Sequence, residues 1–310
     1  MPFYVMRYQQ SLFVREFGQG QQVVIVLSGL GMKSWQWLPF LYQHRKKFRF
    51  IIPDWRGFGH SRHCEIPQGL DAISSHWQDL SDVIQHKHLE KFIVIAYSMG
   101  ATTAMHGMAH GDLTTYLQAY LHIDQSPKIV VDATWSHGLF AEQQQLFKQH
   151  LAQLSQLLHT YHPHRYIQEL SSHERFHLIA IWHQLLEFQN SNDLFPRLFK
   201  VAQRHHMLQP IILPMQRLDY LAWYVDTYLQ HDQDYRVALQ QLNCPSTFFM
   251  GTRSKLYPIE GQRLIAANMQ QQAHCVEFER SGHTPLVSEP KKFAQALSAF
   301  LRRHHQHSGE

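Results

Sequence analysis

Four short, almost wholly apolar runs recur along the first 130 residues, and each is followed by a stretch with helical spacing. Gln22 to Ser28, Phe48 to Pro53, Phe92 to Ala96 and Tyr120 to Ile123 show no polar alternation, the mark of strands buried on both faces. Between them Trp35 to Gln43, Leu70 to His86 and Met99 to Gly107 read as helices. This alternation predicts an α/β fold with a mostly parallel, doubly wound sheet and helices on both faces. Ahead of it, Phe3 to Arg7 and Leu12 to Phe17 read as an antiparallel pair of strands.

The pattern changes after Pro127. From about Trp135 to Leu242 the sequence is helical, with Phe147, Leu151, Leu154 and Leu158 on one face and Phe176, Ile179, Trp182 and Leu186 on another. Pro163, Pro196, Pro210 and Pro214 are expected to separate its helices. Strand character returns at Ser246 to Met250 and at His274 to Phe278. A last helix is predicted over Pro290 to Arg302, with Phe293, Leu297 and Leu301 on one side. A helical block therefore interrupts an α/β core.

Composition narrows the function classes. With 310 residues and 44% apolar content the chain can bury one core and is not disordered. The longest apolar runs, Phe92 to Tyr97 and Tyr220 to Val225, fall far short of a membrane span, which needs about 20 residues. The start of the chain has no stretch fit to be a signal peptide. Three cysteines without a CxxC pair speak against zinc or a disulfide framework, so a reducing, cytoplasmic setting is expected. The net charge of +4 comes from scattered basic residues with no basic–aromatic stripe, which argues against nucleic acid as a partner. The 25 histidines form no HExxH or other ligand spacing. They read as solvated surface, and no metal or cofactor is expected.

The third buried strand runs into Ala96-Tyr97-Ser98-Met99-Gly100 and then into a helix rich in small residues. This is close to the nucleophile elbow G-x-S-x-G, with Ala96 at the first glycine. The elbow is sharp, so side chains two before and two after the serine would collide with neighbouring elements. It presents the serine hydroxyl at a helix N-terminus, where backbone N–H groups favour developing negative charge.

With these residues the chain resembles the α/β-hydrolase superfamily, in its serine-nucleophile branch. Leu27-Ser28-Gly29-Leu30-Gly31, followed by Trp35, resembles the family's oxyanion loop, with Ser28 where a histidine is usual. Pro53-Asp54-Trp55-Arg56-Gly57-Phe58-Gly59-His60-Ser61 matches the family's P-D-x-R-G-x-G-x-S loop. Ser281-Gly282-His283-Thr284-Pro285, with Glu289-Pro290 after it, resembles the loop of the catalytic histidine. The resemblance implies an eight-stranded-type sheet with an inserted helical cap. Residues 1–127 and 244–310 would be the core, and 128–243 the cap. It also implies Ser98 as nucleophile, His283 as general base, and the backbone N–H groups of Leu30 and Met99 as the oxyanion hole.

The acid is where the sequence departs from the family. Its usual position, in G-x-x-D-x-x-x-P, falls in Gly251 to Pro258 and holds Ser254. Asp124, at the end of the preceding strand, is the first candidate to replace it. Asp219, Asp234 and Glu260 are the others, or the triad lacks an acid. Asp54 and Arg56 are expected to order their own loop through an internal ion pair. Trp35, Trp182, Tyr220, Trp223 and Tyr224 are candidates for the substrate pocket, alongside a packing role. The implied activity is hydrolysis of a small to medium, largely apolar ester, thioester or lactone. Carbon–carbon bond hydrolases, cofactor-free haloperoxidases and a non-catalytic ligand receptor are the rival readings, the last because of Ser254.

Overall fold

The computed structural model describes residues 3–6, 10–189 and 217–305. Its sheet has eight strands: β1 (Phe3–Met6), β2 (Gln10–Phe17), β3 (Gln22–Leu27), β4 (Phe48–Pro53), β5 (Phe92–Tyr97), β6 (Leu117–Ile123), β7 (Ser246–Gly251) and β8 (His274–Phe278). Their spatial order is β1-β2-β4-β3-β5-β6-β7-β8. β2 pairs antiparallel with both neighbours, and every other pairing is parallel.

The unbroken apolar runs follow from what covers the sheet. On β3, Val23, Ile25 and Leu27 join a layer with Trp77, Leu80 and Met105, whereas Val24 and Val26 join Trp37, Phe293 and Leu297. β5 divides in the same way, Val94 and Ala96 to the first layer, Ile93 and Ile95 to the second. The helices Ala72–His86 and Met99–His110 cover one face, and Pro290–Arg303 covers the other. With both faces covered, neither side chain of a strand pair meets water, so period-two polarity is lost.

The helix read over Met99 to Gly107 runs on to His110, and two others differ in start or continuity. The helix expected from Leu70 starts at Ala72, because Asp71 is extended and its carboxylate accepts the N–H groups of Ile73 and Ser74 at 2.8 and 3.0 Å. The segment expected as one helix over 35–43 is three short turns, Ser34–Trp37, Leu38–Leu41 and Tyr42–His44. Pro39 lies at the start of the middle one, where its missing N–H cannot continue a ladder from the turn before.

Between β6 and β7 stand the helices Gln144–Thr160, Ser172–Gln189 and Leu218–Gln230, the first packed on both others and the last also on Ala72–His86. Phe147, Leu151, Leu154 and Leu158 are buried. In the second helix Leu178, Ile179 and Leu185 are buried, but Phe176 faces solvent. Residues two apart on a helix point roughly 200° apart, so burying 178 turns 176 outward. Pro196, Pro210 and Pro214 lie outside the described residues. No described helix is long and apolar enough to cross a membrane.

Candidate active site

β5 ends at Tyr97, and the chain turns through Ser98 into the helix Met99–His110. Ser98 has φ 51° and ψ −122°, a region that costs a non-glycine residue about 1–3 kcal/mol. Its N–H donates to the Ile123 carbonyl at 3.1 Å, which helps to hold the turn. The small residues are explained by space. A Cβ on Gly100 would lie 2.3 Å from the Leu27 carbonyl oxygen, and one on Gly29 would lie 2.9 Å from the Tyr97 ring. Ala96 is fully buried in the layer that holds Leu27 and Val94, so its methyl packs without needing glycine.

Strand ends bring three side chains together. His283, in the loop after β8, has Nε2 2.8 Å from Ser98 Oγ and Nδ1 2.6 Å from Asp124 Oδ2. Asp124 follows β6 with φ 42°, its N–H donating to the Phe249 carbonyl at 2.9 Å. The Asp124 carboxylate is wholly buried. Its Oδ1 accepts from the Gly251 N–H at 3.1 Å and the Gln262 amide at 3.0 Å, and its Oδ2 also accepts the Ser254 hydroxyl at 2.7 Å. Ser254 thus leaves room for a carboxylate on the neighbouring strand and donates to it. The other candidates are engaged elsewhere. Asp219 pairs with Arg217 and Asp234 with Arg236, both at 2.6 Å, and Glu260 is exposed at a helix start.

Some supports had no local sequence signal, and others lie within the motif loops. The Tyr97 hydroxyl donates to the His283 carbonyl at 3.0 Å, and the rings of Tyr97 and Tyr257 flank the imidazole at 5.3 and 5.7 Å between centroids. Buried Glu289, part of the histidine-loop motif, accepts from Ser281 Oγ at 2.6 Å and the Arg280 N–H at 2.9 Å. That fixes the loop just ahead of His283. Opposite, Met99 opens its helix, where the first N–H groups have no intrahelical acceptor. Leu30 follows Gly29 and borders the same cavity as Ser98. Ser28 anchors this loop, its Oγ accepting the Trp37 indole N–H at 3.0 Å and its carbonyl the Trp55 indole N–H at 2.7 Å.

The Pro53–Ser61 loop is ordered differently from the expectation. Arg56 does not pair with Asp54; it makes two 2.7 Å hydrogen bonds to the buried Asp79 carboxylate on the helix Ala72–His86. Asp54 accepts the N–H groups of Ser34 and His60 at 2.6 and 3.0 Å. The loop is therefore tied to the helix beneath it and to the Ser34 turn.

A cavity of about 380 Å³ opens over Ser98 and His283. Its walls are largely apolar, with Phe140, Phe147 and Trp182 from the insertion facing Leu30 and Met32. Of the five residues proposed for the pocket, Trp182 and Tyr224 border it. Tyr220 and Trp223 are turned away, the Tyr220 hydroxyl donating to the Cys64 carbonyl at 2.7 Å and the Trp223 indole to the Leu70 carbonyl at 2.8 Å. The helix Leu218–Gln230 presents Tyr224 together with Leu221, Val225 and Tyr228, one stripe at i, i+3, i+4 and i+7. Trp35 is half-exposed outside the wall, and its neighbour Gln36 borders the cavity.

Three described histidines depart from the surface reading: His231 is buried and burial lowers its pKa, and two others lie deeper. His76 is fully buried against Trp55, with Nε2 2.8 Å from the Tyr224 hydroxyl, and burial pushes its pKa well below the usual value. His122 lies in β6 between the Tyr120 hydroxyl and the Gln125 carbonyl, both at 2.9 Å, and burial pushes it down to about 4. Among the described residues no group of three or more His, Cys, Asp or Glu side chains is placed to hold a metal ion.

A serine, a histidine and a carboxylate joined in line above a parallel sheet invite comparison with known hydrolases. The sequence profile of the Alpha/beta hydrolase family matches residues 24–296. The chain belongs to that family. Among its relatives is the pimeloyl-[acyl-carrier protein] methyl ester esterase of Vibrio vulnificus, 25% identical over 287 residues, covering 91% of this chain and 95% of that protein. The Vibrio cholerae protein of the same name is 22% identical over 294 residues, covering 94% and 99%. In structure, the chain is similar to a thermophilic esterase from Thermogutta terrifontis (TM-score 0.71, 18% identity, 98% and 99% coverage). It is also similar to the enol-lactonase from Burkholderia xenovorans (TM-score 0.68, 16% identity, 97% and 100% coverage). These two likenesses speak for the fold.

Proposed function

We propose that this α/β hydrolase cleaves a small to medium, largely apolar carboxylic ester, thioester or lactone through an acyl-enzyme on Ser98. The observation that carries the reading is the hydrogen-bonded line from Ser98 Oγ through His283 to Asp124, at 2.8 and 2.6 Å. His283 Nε2 takes the proton as Ser98 Oγ attacks the carbonyl carbon, then returns it to the leaving alcohol or thiol. A water activated by the same nitrogen releases the acid. Asp124 holds the ring with Nδ1 protonated, so that Nε2 is free to act as base. The N–H groups of Met99 and Leu30 receive the oxyanion, and losing one such donor costs about 3 kcal/mol in the transition state. No residue in this scheme calls for a metal or cofactor.

The wall over Ser98 supports an apolar acyl group, and the esterases among the relatives support an ester bond as the target. We assign residues 128–243 to a cap that roofs the site and residues 1–127 and 244–310 to the core. The short helix Arg236–Gln240 straps the cap's end to the helix of Ser98. Free thiols at Cys64, Cys244 and Cys275 support a cytoplasmic setting.

A fluorophosphonate probe and p-nitrophenyl acyl esters test the reading. The wild type is expected to be labelled and to turn the esters over, and Ser98→Ala to lose both while unfolding at the same denaturant concentration. Turnover surviving in Ser98→Ala removes the acyl-enzyme. A wild type that resists labelling and binds esters without cleaving them makes the chain a receptor.

A further inference from the structure

The Gln262 side chain, on the helix Ile259–Ala267, is almost wholly buried behind Asp124. Its amide nitrogen donates to Asp124 Oδ1 at 3.0 Å and to the Tyr257 carbonyl at 3.2 Å, which uses both hydrogens. Its amide oxygen is buried with no hydrogen-bond partner. Leaving that oxygen unanswered is costly. The reverse orientation would set it against the Asp124 carboxylate, which is worse. The amide is thus held with its donors forward by two acceptors.

From this geometry we infer that Gln262 is a positioning residue of the Ser98–His283–Asp124 line. With the Gly251 N–H it occupies Oδ1, so that Oδ2 is the oxygen turned to His283 Nδ1 and the Ser254 hydroxyl. An amide donor also stabilises charge on a carboxylate that burial strips of water. Gln262 touches neither Ser98 nor His283 by hydrogen bond. It reaches His283 through Asp124 and through the backbone of Tyr257, whose ring flanks the imidazole, and a cycle with Asp124 separates the two routes. The inference rests on the acyl-enzyme reading above and adds a residue from outside the three motif loops.

The test is a double-mutant cycle on p-nitrophenyl ester hydrolysis. Gln262→Met is expected to lower kcat about tenfold or more at nearly constant KM, the scale of a lost hydrogen bond to a charged group. In the Asp124→Asn background the same change is expected to leave kcat where Asp124→Asn puts it. The acid limb of kcat/KM is expected to move to higher pH in Gln262→Met. Of the titratable groups around Asp124, burial pushes His122 down to about 4 and Tyr97 and Tyr257 up, which moves these three away from that range. Equal losses in both backgrounds would show a packing role only and overturn the inference. So would wild-type kcat with an unmoved acid limb while Ser98→Ala and Asp124→Asn are inactive. If Ser98→Ala stays active, the functional reading fails and takes this inference with it. Should Gln262→Met not fold, Gln262→Asn, which withdraws the amide by one methylene, enters the same cycle with the same outcomes.

Discussion

At the scale of single residues, a buried carboxylate is useful only if its charge is answered by donors. Asp124 has four: the Gly251 N–H, the Gln262 amide, the Ser254 hydroxyl and the His283 ring N–H. Ser254 explains why an acid is missing at its position. Its Oγ lies 2.7 Å from the oxygen that meets His283, so two carboxylates there would share one small volume and repel. This predicts a transplantable acid. Asp124→Asn is expected to cut acylation by about 10²–10⁴-fold through loss of imidazole orientation. Ser254→Asp added to it is expected to return a measurable part, at least tenfold over the single variant. Stopped-flow acylation rates check this, and a double variant no faster than Asp124→Asn would place position 254 out of reach of the histidine.

At the scale of elements, the loops that build the site are tied to elements lying beneath them. The Pro53–Ser61 loop hangs on the Arg56–Asp79 pair, which is buried on both sides and bidentate at 2.7 Å. The Tyr224 hydroxyl donates to the Arg56 carbonyl at 2.8 Å, which links that loop to a helix of the cavity wall. Asp79→Asn leaves a guanidinium buried without its counter-charge, and a loss of about 3–5 kcal/mol of stability is expected. Urea denaturation followed by tryptophan fluorescence measures it. A loss below about 1 kcal/mol would mean that the helix Ala72–His86 holds the loop by packing alone.

For the whole molecule, buried histidines make stability depend on pH. His122 is pushed down to about 4 and His76 well below its usual value, both by burial. Both are held below the unfolded value of about 6.5, so the unfolded chain takes up protons first as pH falls. Their contribution is fully present above about pH 6.5 and is lost as pH falls toward 4. The slope is about 1.4 kcal/mol per pH unit for each group. Urea midpoints at pH 7.5 and pH 5 are expected to differ accordingly, and an unchanged midpoint would mean that these rings meet water in the folded state.

The sheet, the elbow, the histidine loop and the helical insertion were legible in the sequence because each is local. A doubly covered strand shows its burial as an unbroken apolar run, and the elbow shows its crowding as small residues at fixed offsets from Ser98. Site geometry that depends on two elements meeting was not legible. Nothing local marks Gln262 as a partner of Asp124 across 138 residues, or Asp79 in place of Asp54 as the partner of Arg56. Likewise, periodicity shows that the helix Leu218–Gln230 has an apolar face, but not whether Tyr220 or Tyr224 meets the cavity. That depends on the rotation at which it packs against the helix Ala72–His86. The sequence by itself determined which chemistry-bearing loops the chain has and that they emerge at strand ends. Tertiary structure decided which carboxylate answers His283, because a hydrogen bond needs a third atom within about 3 Å, and that placement arises only when β6 and β7 lie side by side.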